Sequence, residues 1–213
     1  MLSQPRVLLV APDRSYRTGA YIEAAAGLGI ELTVASWGQH PLTVNANGIR
    51  LDTGSVDHAI AKVQKVAAQN PFSAAIATDD ATVPLARGIC ERLGLPANGP
   101  RALRASTDKA GFRAVCVEQG LPSPAFHVIR AAESVDECCE RVSFPCVAKP
   151  LSLSASRGVI RCESRDELLS AIARIRQMLF AETLDGEQAI LVEEYLSGKE
   201  YSVEELVQTS FIF

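Results

Sequence analysis

Along the first hundred positions the apolar residues come in short unbroken blocks, separated by longer stretches where they recur every third or fourth residue. The blocks "RVLLVA", "IELTVAS" and "SAAIAT" predict buried strands, because a strand covered on both faces needs no alternation. The periodic stretches predict helices. "GAYIEAAAGLG" ends at glycine, and "SVDHAIAKVQKVAAQNP" places Ile60, Val63 and Ala67 on one face and stops at Asn70-Pro71. "DDATVPLARGICERLGL" is expected to be a third helix, with Thr78 as its cap. Strands alternating with helices imply a parallel sheet with helices on both sides.

Near residue 100 the pattern changes. "GLPANGPRALRAS" is rich in glycine and proline and marks a boundary. "TDKAGFRAVCVEQG" then predicts a helix over about 107–119, closed by Gly120. "PAFHVI" is a short strand, and "SVDECCERV" a helix opened by a Ser134 to Glu137 capping box. "FPCVAKP" and "SRGVIRC" are strands on either side of a serine-rich loop. "SRDELLSAIARIRQMLFAE" is a longer helix with a second box, Ser164 to Glu167, and an apolar face of Leu168, Ile172, Ile175 and Leu179. "AILVEEYL" and "EYSVEELV" predict two further strands joined by "SGK".

Composition narrows the partners. With 47% hydrophobic and 22% charged residues, the 213-residue chain is expected to fold around a packed core. A formal net charge of -4 argues against nucleic acid or an anionic membrane as partner, and no apolar run is long enough for a membrane span. The six cysteines form no Cys-x-x-Cys pair and the three histidines (His40, His58, His127) are scattered, so neither zinc nor a disulfide framework is expected. Buried thiols in a reducing cytoplasm are expected instead. The first strand is followed by "APDRSYRTG" rather than Gly-x-Gly-x-x-Gly, which removes the main support for a nicotinamide or flavin enzyme.

Three segments carry candidate chemistry. Thr107-Asp108-Lys109, with Arg113 a turn later, is either a charged helix start or a cation placed for a ligand. In "VAKPLSLSASRGVI", Lys149 ends an apolar strand, where an ammonium is costly unless an anion meets it. Ser152, Ser154, Ser156 and Gly158 offer hydroxyls and N–H groups to phosphate oxygens, although a polar hairpin loop has the same letters. Arg157 is either a further cation for phosphate or a solvent-facing arginine. In "ILVEEYLSGKE", Glu193 and Glu194 interrupt an apolar strand and Glu200 lies on the next expected strand, as acids in water or as hydrogen-bonding groups beside an apolar slot. Asp79 and Asp80 follow a strand and open a helix, as a substrate-facing loop or as helix-terminal acids.

In this order, from about residue 104 to 206, the three segments resemble the ATP-grasp superfamily of ATP-dependent carboxylate–amine ligases. The preceding region resembles the Rossmann-like domain that such enzymes carry. The resemblance implies an N-terminal Rossmann-like parallel-sheet (pre-ATP-grasp) domain at 1–103. An incomplete α+β ATP-grasp domain follows at 104–213, with a lid subdomain at about 122–190. It makes Lys109 the lysine toward the α-phosphate and Lys149 the one bridging the phosphates and the adenine edge. Ser152, Ser154, Ser156, Arg157 and Gly158 lie in the loop closing over the β- and γ-phosphates. Glu193, Glu194 and Leu196 match the adenine-binding stretch and Glu200 the ribose acid. Where many relatives have glycines, this loop reads Ser-Leu-Ser-Ala-Ser.

The implied reaction is activation of a small carboxylate by ATP as an acyl phosphate, which an amine or thiol attacks, with Mg²⁺ on the phosphates. In the family the metal ligands are a Glu and a Glu/Asn pair on later strands. Glu204 and Glu205 do not match them, so no metal ligand and no catalytic residue is assigned in this chain. The expectation is therefore a fragment of a cytoplasmic ligase, or a natural short form with an open sheet edge and a tendency to self-associate. A catalytically inert nucleotide-binding or interaction module is the alternative.

Overall fold

The computed structural model describes residues 4–13, 15–37, 47–51, 55–130, 133–153, 155–183 and 188–201. The chain divides into two units, Met1–Val115 and Cys116–Phe213.

The first unit is built on a four-stranded, all-parallel sheet in the order β3-β2-β1-β4. Its strands are β1 (Arg6–Val10), β2 (Glu31–Ser36), β3 (Asn47–Arg50) and β4 (Ala74–Ala77). The central strand β1 is buried on both faces, as its unbroken apolar run requires. Leu8 and Val10 join a core with Ile60, Val63 and Ile89, and Leu9 joins Ala25, Leu32 and Val34 on the other side. Helix α1 (Thr18–Gly27) connects β1 to β2. Helix α2 (Val56–Gln69) buries Ala59, Ile60, Val63 and Ala67, and its start is fixed by the Ser55 side chain, which accepts from the His58 N–H.

After β4 the expected single helix is in two parts, a 3₁₀ turn (Asp80–Thr82) and α3 (Val83–Leu93), which ends at Gly94 with φ 68°. The cap is Asp79, not Thr78: Asp79 and Thr82 form a capping box, and the hydroxyls of Ser15 and Thr78 donate to the Asp79 carboxylate at 2.7 and 2.5 Å. Two elements depart from the sequence reading. β3 was not expected, and the glycine- and proline-rich stretch contains helix α4 (Pro100–Thr107), with Pro100 in its first turn. Helix α5 (Lys109–Glu118) follows at once, and the division between the units falls within it.

The second unit has an antiparallel sheet in the order β5-β8-β6-β7. Its strands are β5 (Phe126–Ile129), β6 (Cys146–Pro150), β7 (Ile160–Cys162) and β8 (Ile190–Glu194). One face packs on α6 (Val135–Arg141) and α7 (Arg165–Thr183) through Leu168, Ile172, Ile175 and Leu179, the stripe that the periodicity indicated. At α6 the expected capping box does not form, since Ser134 makes no side-chain cap bond. At α7, Ser164 accepts from the Glu167 N–H at 3.4 Å, but the Glu167 carboxylate reaches back to the N–H of Glu163. The proposed last strand, 200–207, lies outside the described residues except for Glu200 and Tyr201, which belong to no strand. All six cysteines are buried, free thiols. Among the described residues no helix is long and apolar enough to cross a membrane.

Candidate functional site

In the second unit the pleat sorts β6 and β8 into two faces. Cys146, Ala148, Ile190 and Val192 point to the α7 side and belong to its core. Val147, Lys149, Leu191 and Glu193 therefore share the opposite face. The register sets Lys149 beside Leu191 and Val147 beside Glu193, so Lys149 and Glu193 are diagonal neighbours. Their side chains meet, with Lys149 Nζ 2.5 Å from Glu193 Oε2, and are 19% and 7% exposed. An ammonium this sheltered needs a counter-charge, and the carboxylate on the neighbouring strand supplies it.

The same face carries Phe126, opposite Glu193, and Val128, opposite Leu191, on β5, and Arg161, opposite Val147, on β7. The Arg161 guanidinium lies 3.9 Å from the centre of the Tyr195 ring and pairs with Glu163 at 2.7 Å. The result is an apolar floor crossed by one ion pair and edged by a cation stacked on an aromatic ring. Such a surface can hold a flat heterocycle and an anionic tail.

The strand lysine is followed by the β6–β7 loop. Ser152 donates its hydroxyl to Gln188 Oε1 at 2.6 Å, and Arg157 pairs with Glu182 of α7 at 2.7 Å. Leu153 is buried among the α7 core residues. Ala155 and Ser156 have φ of 55° and 58°. At Gly158 (φ +73°) an added Cβ would sit 3.0 Å from Pro150, so glycine is needed both for the conformation and for the close approach. Ser154 lies outside the described residues.

Past β8 the chain is held by main-chain bonds. Glu194 N–H donates to the Ala125 carbonyl at 2.9 Å, and Tyr195 N–H to that of Pro145 at 3.1 Å. The Glu194 side chain accepts weakly from Ala125 N–H at 3.4 Å. Leu196 is 64% exposed, and among the described residues its N–H has no partner. Glu200 is exposed.

In the first unit Lys109 opens α5. The preceding Asp108 caps that helix, accepting from the Ala110 N–H at 3.0 Å. Gly111 makes room for the cap, because a Cβ there would lie 2.9 Å from Asp108 Oδ2. The "TDKAG" letters thus have a local structural cause that leaves Lys109 at the helix start. Sequence reasoning brought together Lys149, Glu193 and the loop, which share one sheet. It missed Glu182, Gln188 and the Arg161–Tyr195 stack, whose partners are far apart in the chain and carry no local signal.

Burial, and after it the charge interaction with Cys162, pushes the Cys146 thiol up to about 12, and burial lifts Cys138 to about 11. Among the described residues no group of three or more His, Cys, Asp or Glu side chains is arranged to hold a metal ion. Glu204 and Glu205 lie outside the described residues.

Comparison with known proteins bears on both units. The model of an ATP-grasp N-terminal domain matches residues 22–97, and that of an ATP-grasp domain matches residues 142–210. A D-alanine–D-alanine ligase of Glaesserella parasuis is 33% identical over 121 residues, which is 55% of this chain and 37% of that enzyme. The fold is similar to that of an L-amino acid ligase from Bacillus licheniformis, with a TM-score of 0.71 at 19% identity over 92% of this chain and 45% of that one. It is also similar to the biotin carboxylase domain of Hydrogenobacter thermophilus 2-oxoglutarate carboxylase, solved with MgADP, ADP and bicarbonate. There the TM-score is 0.62 at 17% identity, over 89% of this chain and 44% of that one. The chain thus spans less than half the length of each of these relatives.

Proposed function

The chain belongs to the ATP-grasp superfamily, and on that premise we propose that its second unit binds ATP as part of a ligase that activates a carboxylate for attack by an amine or thiol. The observation that carries this reading is the Lys149–Glu193 ion pair on the apolar face of β6 and β8. Lys149 is the cation for the phosphates, and the partly exposed Phe126 and Val128 are the floor for the adenine. The exposed Leu196 N–H and the Glu194 main chain are the edge contacts for the base, Glu200 the acid for the ribose, and Lys109 a second phosphate cation. Ser152, Ser156, Arg157 and Gly158 belong to the loop over the outer phosphates. The domain limits follow the same reading, 1–103 and 104–213 with a lid subdomain at about 122–190, and are supported by the two matched stretches.

In the reaction proposed for the whole protein, a carboxylate oxygen attacks the γ-phosphorus and ADP leaves. The nucleophile then displaces phosphate from the acyl carbon, giving the new bond, phosphate and a proton. Fixed cations contribute by stabilising charge that builds on the phosphates as the γ-group moves. One solved relative is in complex with MgADP, and such an ion, when bound, would supply further charge neutralisation on the phosphates. The described residues of this chain hold no cluster for the ion, and no step is assigned to it here.

Calorimetry with ATP tests the assignment. The chain is expected to bind ATP, and Lys149→Ala to weaken binding by at least about tenfold, as loss of a charged hydrogen bond does. Binding that leaves every added carboxylate unconverted would favour a nucleotide-binding module without turnover. No binding at all, or binding indifferent to Lys149→Ala, would overturn the proposal.

A further inference from the structure

The serine loop lies on the wrong side of its own sheet for the task assigned to it. Lys149 and Glu193 point away from α7, by the alternation that sends Ala148 and Val192 toward it. The loop after Lys149 leans the other way. Leu153 is buried among the α7 core residues, the site of a Gly158 Cβ would lie 3.8 Å from Ile175, and Arg157 pairs with Glu182 near the end of α7. Ser152, which would offer its hydroxyl to a phosphate, gives it to Gln188. Two successive non-glycine residues, Ala155 and Ser156, are held in the left-handed region, a conformation that persists only where surrounding contacts enforce it.

We propose that this is a stored position of the loop, latched to α7 by Arg157–Glu182 and to the start of β8 by Ser152–Gln188. The latch competes with the nucleotide, because the donors that would close over the phosphates are spent on Glu182 and Gln188 until those contacts release. The inference rests on the nucleotide reading above. Both partners of the ion pair are about half exposed, 48% and 45%, so the contact is weak enough to open thermally and is screened by salt. The backbone strain at Ala155 and Ser156 favours release, and Pro150 and Gly158 fix the points from which the loop leaves the sheet. Opening and closing set the fraction of chains competent to bind, and the apparent affinity falls with that fraction.

The test uses the 213-residue chain with Glu182→Gln and Gln188→Ala, neither of which is assigned a contact with ATP. Without nucleotide, hydrogen exchange of the 152–158 amides is expected to quicken about two- to fivefold in each variant, the range that a weak surface contact spans. ATP affinity, by calorimetry, should tighten by a similar factor, and the gap between wild type and Glu182→Gln should close at about 0.5 M salt. Unchanged exchange in both variants would overturn the latch. So would faster exchange with ATP affinity unchanged or weaker, since the loop would then not compete with the ligand. A wild-type chain that binds no ATP would instead remove the nucleotide reading itself, and with it the competition.

Discussion

The two sheets solve the same burial problem in opposite ways. In the first, β1 is covered on both faces, and Leu8, Leu9 and Val10 are fully buried in succession. In the second, β6 alternates a core residue with one that faces elsewhere, and the other face carries Lys149 and Glu193. A sheet walled on both sides has no place in mid-strand for a charge, so its chemistry must sit on the loops beyond the strands. A sheet with one helical wall can keep charges within its strands, held rigidly by the ladder. The candidate site is on the second kind of sheet for that reason.

The sharpest way to separate the two faces of β6 is to place the same charge on each. Ala148→Lys, on the fully buried α7 side, is expected to destabilise the second unit by more than about 4 kcal/mol, the magnitude reached when an unpaired charge enters a core. Val147→Lys, one residue away and opposite Glu193, should cost about 1 kcal/mol or less. Denaturant titration of the two variants would test the assignment of faces, and similar midpoints would refute it.

A smaller effect tests whether the ion pair serves the fold or the ligand. Lys149→Met, which takes the ammonium away from a buried carboxylate, should cost about 3 kcal/mol. Lys149→Met/Glu193→Met should recover to within about 1 kcal/mol of wild type, because a matched apolar pair replaces a buried ion pair at little net loss. ATP affinity should stay lost in the double variant. A double variant as unstable as the single one would make the pair structural.

The smallest expected effect lies on the α6 side of the same sheet, at Glu133. The hydrogen bond with His127 at 2.7 Å, opposed in part by burial, holds the Glu133 carboxyl below its ordinary 4.5. A carboxyl depressed on folding binds its proton more readily when unfolded, so its contribution is fully present above about pH 4.5. It is lost as the pH falls through the lowered value. Glu133→Gln should lower melting slightly near neutral pH and flatten that acid limb, so that the two proteins converge as the carboxyl is protonated. Identical acid limbs for the two proteins would refute the linkage.

Most of the fold was readable because most elements declare themselves by burial. The elements that escaped bury little. β3 has one buried residue, Ile49, in "NGIR", which looks like a turn, and what makes it a strand is its parallel pairing with β2. Helix α4 has no buried residue at all, so its start signals, Gly99 and Pro100, were the only ones available, and they also mark a linker. Thr78 and Asp79 compete for one cap, and the choice falls to Asp79 because Ser15, from another loop, helps hold it. At the site, Lys149 stood out because an ammonium in an apolar strand demands an explanation. The engagements of Ser152 and Arg157 could not be read, since Gln188 and Glu182 are separated from them by an entire helix or most of one.

The contact between Pro150 and Gly158 has one more consequence, for how the loop can vary. It draws the two ends of the segment together at its base, so the ends need not be brought closer to accept a longer tip. Doubling the number of residues between them would add only about 0.6 kcal/mol of closure entropy, less than one good hydrogen bond returns. Insertions at the tip can therefore change what the loop reaches without disturbing the lysine at its root, which makes this hairpin a natural graft point for altering selectivity.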